Sequence, residues 1–304
     1  MLVGNVIKGA LFGNGARQAL TAGWARSGYR FFFPSVCALC EELMIAPDGI
    51  LGGDSDLGRD SNQGSDCSAV ADTPEARGGV PLCGECAESL CSRIPRPCSK
   101  CASPLGPYQL SSGCLRCRGR CYRFNRATAL TGYLGVGREA ALRLKRAGCE
   151  ALALSLGRLL GAHVRRVWQQ PFDLVAPVPM HWLRRLWRGV NATELLAESV
   201  GEMLEVAVSR DCLRRTANSR KQGVLLAEAR FQNVRGVFSV HSQKLLQGKR
   251  ILLVDDILTT GATASEAARE LRNAGAASAH VAVVARGVGR GTVLIPNSQA
   301  DDLS

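Results

Sequence analysis

"ILLVDDILTTGAT", residues 251–263, decides how the chain is read. Its first four residues are all apolar, as in a strand buried on both faces of a parallel sheet. Asp255 and Asp256 close that strand, and Thr259, Thr260, Gly261, Ala262 and Thr263 follow, with a helix opening near Ala262. Ligands of open α/β sheets bind beyond the carboxyl ends of the strands. Gly261 allows close backbone approach, the threonines offer hydroxyls, and a helix start offers unpaired N–H groups at the positive end of its dipole. Such a loop suits a phosphate. The two acids would repel it unless they address another part of the same ligand, ribose hydroxyls or a bound Mg2+. An aspartate capping an ordinary helix accounts for one acid and one threonine, and leaves the rest of the pattern unexplained.

Two familiar phosphate motifs are absent: there is no G-x-x-x-x-G-K-[ST], and neither "GYLGVG" (132–137) nor "GVGRG" (287–291) has dinucleotide spacing. Outward from the loop, Ala264, Ala267, Ala268 and Leu271 space one apolar helix face that Gly275 stops. "SAHVAVVAR" (278–286) is the next buried strand, with His280 expected as a hydrogen-bonded core residue. Upstream, "ATALTGYLG" and "FDLVAPVP" suit strands, 138–168 has helical periodicity with a break at Gly148, Asn191 with Glu194 caps a helix, and "GVFSV" is a short strand. Strands alternating with helices predict an α/β fold with a parallel sheet covered on both faces.

The thirteen cysteines are unevenly placed: eleven lie between Cys37 and Cys121. Cys37-x2-Cys40 and Cys83-x2-Cys86 form one pair of hooks, and Cys98-x2-Cys101 with Cys114-x2-Cys117 another. Two hooks supply the four tetrahedral thiolates of a structural zinc, and a closed set of four leaves no open position for catalysis. The 42 residues between Cys40 and Cys83 are too many for a ribbon loop until the Gly-, Ser- and Asp-rich segment 47–80 is set aside as a flexible acidic insertion. Cys67 lies inside that insertion, and Cys91 and Cys121 are single cysteines near hooks. About two structural zincs are expected.

A net charge of +12 and 46% hydrophobic residues describe a basic chain able to bury a core. The amino terminus lacks the pattern of a signal peptide and no stretch approaches the ~20 apolar residues of a membrane span, so a soluble, cytoplasmic protein without membrane insertion is expected. Arg184, Arg185 and Arg188 lie among Trp182 and Trp187, and Arg214, Arg215, Arg220 and Lys221 form a second basic cluster. Cations interleaved with rings suit single-stranded nucleic acid; a positive rim for a phosphorylated ligand is the alternative.

At these motifs the sequence resembles the ComF family, in which a cysteine-rich zinc-binding segment precedes a type I phosphoribosyltransferase domain. "ILLVDDILTTGAT" is similar to the phosphoribosyl pyrophosphate (PRPP) signature of such domains. The resemblance extends through "FPSVCALC", "RLKRAG", "PVPMHWLRRLWRGVN", the spaced Gln222, Arg230 and Asn233, and "VAVVAR". It implies that Asp255 and Asp256 hold ribose hydroxyls and carry the catalytic role. Thr259, Thr260, Gly261, Ala262 and Thr263 would hold the 5-phosphate, and the turn of Val178, Pro179 and His181 would meet pyrophosphate with Mg2+. Val190, Ala192, Leu226 and Ala229 depart from the family pattern, all on the acceptor side.

The expected domain layout is an arm over 1–32, a double zinc ribbon over 33–125 interrupted by the flexible acidic insertion 47–80, a phosphoribosyltransferase-like domain over 126–288, and a disordered tail over 289–304. Two functions follow from the resemblance. One is an enzyme transferring phosphoribosyl to an acceptor; the other is a single-stranded DNA-handling protein of natural competence with a regulatory or vestigial PRPP pocket. Partners on either reading are PRPP, single-stranded DNA and a competence helicase or other DNA-uptake proteins.

Overall fold

The computed structural model describes residues 36–44, 82–91, 94–105, 114–180, 191–216 and 231–288. The expected arm, the acidic insertion, the tail, His181, the tryptophan-arginine cluster of 182–188, Arg220, Lys221, Gln222, Leu226, Ala229 and Arg230 all lie outside these residues.

Four parallel strands form the central sheet: β1 (Ala127–Gly132), β2 (Leu174–Pro177), β5 (Arg250–Leu258) and β6 (Ser278–Arg286), in the order β1-β6-β5-β2. A two-stranded antiparallel ladder, β3 (Leu213–Arg215) with β4 (Phe238–Val240), stands apart from it. β1, β2 and most of β5 and β6 are buried, as strands covered on both faces must be. Side-chain alternation sorts them. Ala127, Ala129, Leu174, Ala176, Ile251, Leu253, Val281 and Val283 join the core on one face. Leu130, Val175, Leu252, Val254, Ala282 and Val284 join the core on the other.

The second face is covered by α2 (Gly135–Arg143), α3 (Glu150–Val167) and α4 (Ala192–Leu204). The chain breaks between α2 and α3 where Gly148 takes φ +74°, as its position in the periodic stretch predicts. In α3, a Cβ at Gly157 or Gly161 would come within 2.6 Å of Ser199 or Met203 of α4, so these glycines let two helix backbones approach closely. Asn191 caps α4 through the Thr193 amide at 3.3 Å and donates to Glu194 at 2.9 Å. The first face is covered by α6 (Ala262–Asn273), whose Ala264, Ala267, Ala268 and Leu271 are all buried. A short α5 (Gln243–Leu246) precedes β5.

The cysteine segments flank this sheet. Between Val36 and Leu43, and between Pro97 and Pro104, single antiparallel bridges close two tight knuckles. Each knuckle turns through a left-handed non-glycine residue just after its second cysteine, Glu41 at φ 63° and Ala102 at φ 55°. The Cys83 hook instead starts α1 (Gly84–Leu90).

Two sequence expectations need correction. The aspartates do not end β5: Asp255 pairs with Val283, and Ile257 and Leu258 still pair with Ala285 and Arg286, because β6 is long enough to keep the ladder closed. His280 is not a hydrogen-bonded core residue. Its ring lies edge-on to Trp168 and Phe172, its Nδ1 is buried without a partner among the described residues, and burial with nearby Arg250, Arg126 and Lys100 lowers its pKa to about 4.

Candidate functional site

Eight of the cysteines gather in two groups of four, Cys37, Cys40, Cys83 and Cys86, and Cys98, Cys101, Cys114 and Cys117, with sulfurs within 4.8 Å of one another in each. The pairing is the one the hook spacing predicts. Zinc–sulfur bonds of ~2.3 Å in a tetrahedron set sulfurs ~3.8 Å apart. The observed separations are 3.7 Å for Cys40–Cys83 and 3.8 Å for both Cys98–Cys117 and Cys101–Cys114. A disulfide needs ~2.05 Å, so the spacing fits a metal and not a crosslink.

Backbone amides support the thiolate form. Cys37 Sγ accepts from the amides of Leu39 at 3.4 Å, Cys40 at 3.5 Å and Cys83 at 3.3 Å. Burial pushes the Cys37 thiol up, but these donors outweigh it and bring the pKa to about 7. Cys101 reaches about 7 in the same way: burial raises it, while the Ser103 amide and the Arg286 guanidinium lower it. Cys91 and Cys121 belong to neither group.

The anion loop lies between β5 and α6. Asp256 N donates to Asp255 Oδ1 at 2.8 Å, and the two carboxyls lie close enough for the charge of Asp256 to bear on Asp255. Burial, then the charge of Asp256, pushes the Asp255 carboxyl well above the ordinary carboxylate range. Lys145 Nζ lies 3.7 Å from Asp256 Oδ2. Lys145 falls in the "RLKRAG" stretch, but its contact with the acids depends on the turn after α2, which its sequence neighbourhood does not reveal.

Beyond the acids, Thr259 is exposed, Thr260 and Thr263 are half-buried, and Gly261 and Ala262 are buried. Gly261 is the N-cap of α6 at φ 81°, a backbone state that glycine adopts without strain. The Ala262 amide reaches Thr260 Oγ1 at 3.4 Å. Val178 is brought to the same carboxyl edge, its amide donating to Val254 O at 2.8 Å, with Pro179 next to it. Asp255, Asp256, Thr259 to Thr263, Val178 and Pro179 are therefore assembled at one end of the sheet; His181 lies outside the described residues.

The comparisons with known proteins agree with this architecture. Residues 192–294 match the phosphoribosyl transferase domain family. The chain is 31% identical over 203 residues to the DNA utilization protein YhgH of Escherichia coli (strain K12), an alignment covering 64% of this chain and 87% of the relative. It is 31% identical over 115 residues to Competence protein F of Haemophilus influenzae, covering 38% of this chain and 50% of that one. An adenine phosphoribosyltransferase of Parafrankia sp. is 32% identical over 146 residues, covering 41% and 79%.

Proposed function

The chain belongs to the ComF family of DNA-utilization proteins with a phosphoribosyltransferase domain, and from that premise we propose that its loop-and-acid site binds PRPP. The observation that carries this is the juxtaposition of two half-buried carboxyls on β5 with an amide-lined loop at the N-terminus of α6. A ligand bearing hydroxyls and a phosphate a few bonds apart satisfies both. Asp255 and Asp256 accept from the ribose hydroxyls, and the backbone and hydroxyls of Thr259, Thr260, Gly261, Ala262 and Thr263 take the 5-phosphate. Val178 and Pro179 would meet the pyrophosphate. The two acids offer hard oxygen donors of the kind Mg2+ prefers, and Mg2+ supplies charge neutralisation for pyrophosphate when bound.

If the site is catalytic, the C1–O bond to pyrophosphate breaks with its electron pair leaving on the pyrophosphate, and a lone pair of the acceptor forms the new bond to C1. The protein's part is positioning and electrostatic stabilisation of the separating charges. Zinc, about two ions per chain on the eight hook cysteines, would fold the ribbons and take no part in transfer. Titration of PRPP with Mg2+ into wild type and Asp255→Ala/Asp256→Ala tests the reading. Saturable wild-type binding lost in the double variant supports it, and equal binding by both sinks it.

A second reading rests on residues 115–126, "LRCRGRCYRFNR", which place five arginines on and beside the second cysteine group. Arg118, Arg123 and Arg126 are exposed, and Tyr122 in the same stretch touches the anion loop. Single-stranded DNA passing along this strip, with PRPP as a regulator instead of a substrate, accords with the relatives named for DNA utilization. Binding of an oligonucleotide that weakens steeply with salt, without turnover of labelled PRPP, favours it.

A further inference from the structure

Arg286 ends β6 and is 1% exposed, the largest of the fully buried side chains among the described residues. A buried guanidinium is costly unless its donors are met. Here Nε and Nη1 are met by main-chain carbonyls from two distant parts of the fold. Nε donates to Cys101 O at 2.7 Å, and Nη1 to Leu258 O at 2.5 Å, Thr259 O at 2.5 Å and Gly287 O at 3.1 Å. Cys101 belongs to the second cysteine group, and Leu258 and Thr259 lead into the anion loop. One side chain thus ties a metal knuckle to the loop that would hold phosphate.

Three further contacts run parallel to it. Tyr122 Oη donates to Thr260 O at 2.9 Å, the Arg123 amide donates to Ser265 Oγ at 3.0 Å, and the Tyr122 ring lies where a Cβ at Gly261 would be, 2.7 Å away. Thr260, Gly261 and the first turn of α6 therefore rest on residues that follow Cys117 and Cys121 directly. Charge adds to this: a divalent metal held by four thiolates is a net dianion, and Arg286 is the buried cation next to it.

We infer that the second cysteine group is the foundation of the anion loop, with Arg286 and Tyr122 as its positioning residues, so that metal occupancy at Cys98, Cys101, Cys114 and Cys117 governs whether the loop can grip a phosphate. The inference deepens the PRPP reading and rests on it for the identity of the ligand. The order of the loop itself can be tested without any ligand. A planar guanidinium reaches Cys101 O and the loop carbonyls from separate nitrogens, whereas a lysine ammonium must serve them all from one.

The test is hydrogen–deuterium exchange of the full-length protein, read at amides 258–265 and at β2 as an internal reference, with metal content measured on the same samples. Cys114→Ser should lose one metal and raise exchange at 258–265 relative to β2, whereas Cys40→Ser should lose one metal and leave that ratio unchanged. Arg286→Lys should keep both metals, raise loop exchange and weaken PRPP–Mg2+ by about tenfold or more. Tyr122→Phe, which removes one hydroxyl and keeps the ring, should do the same to a smaller degree and decides the matter if Arg286→Lys does not fold. Unchanged loop exchange in Cys114→Ser and Tyr122→Phe, or an equal rise in Cys40→Ser, overturns the inference. Failure of wild type to bind PRPP would overturn the functional reading alone, since the exchange comparison uses no ligand.

Discussion

The two cysteine groups have the same number of thiols and nearly the same sulfur spacing, yet they are fastened to the protein in different ways. The first belongs to the core on the α2–α3 face through Cys37, Leu39, Cys86 and Leu90. Among the described residues, one polar link to the body is the surface pair of Glu41 with Arg143 at 2.6 Å. The second lies with the core on the α6 face and is joined to the anion loop by a buried arginine, a tyrosine hydroxyl and a backbone amide. Identical donor sets are therefore seated in the fold in different ways. Apolar packing with a surface ion pair holds a module in place; directional hydrogen bonds from buried donors transmit geometry.

The largest test of that contrast is metal removal. Structural zinc contributes on the order of 10 kcal/mol to small domains, so a chelator under reducing conditions should unfold both knuckles, release about two metals per chain and abolish PRPP binding. Circular dichroism that leaves the α/β part folded, with binding intact, would break the comparison at once.

Glycine substitution sharpens it next. Gly261→Ala places a Cβ at φ 81° against the Tyr122 ring and should cost about 1–3 kcal/mol as well as ligand binding. Gly84→Ala, in the first ribbon's α1 with nothing within 4 Å of the new Cβ, should be neutral or slightly stabilising in a thermal melt.

Asp255→Asn works in the opposite direction. Because the folded-state pKa is raised, the protonated fold is favoured below the ordinary carboxylate range and that advantage is lost as pH rises through the raised value. At neutral pH the charged acid is a liability, so the amide should raise the melting temperature by a few degrees while removing ligand binding. The gain should shrink as pH falls; a gain independent of pH would contradict the electrostatic account.

The smallest expected effects compare the polar links directly. Tyr122→Phe should cost about 1 kcal/mol, since Thr260 O loses its donor in a half-buried place. Glu41→Ala should stay within about 0.5 kcal/mol, as surface ion pairs do.

Local chemistry made much of this legible in the sequence. The span 278–286 is the observed β6, the four hooks pair as their spacing requires, and the apolar face of α6 is the one its periodicity marks. What escaped depends on contacts between residues far apart in the chain. Arg286 reads as the polar end of a strand until Cys101, 185 residues earlier, is placed beside it. Tyr122 reads as one aromatic in an arginine-rich stretch until Thr260 is placed against its hydroxyl. The extension of β5 past its aspartates was hidden too, because a charge pair resembles a strand end unless the neighbouring strand is known to continue.

The position of Arg286 also has a consequence for the order in which the protein acquires its parts. As the chain is synthesised, all four cysteines of the second group emerge long before β6, and they can take up metal while the sheet is still incomplete. Their buried counter-charge and the loop they support come together only when Arg286 arrives. Since domains assemble as their segments leave the ribosome, a metal at this group would load early, and the proposed grip on phosphate would be among the last properties the growing chain gains.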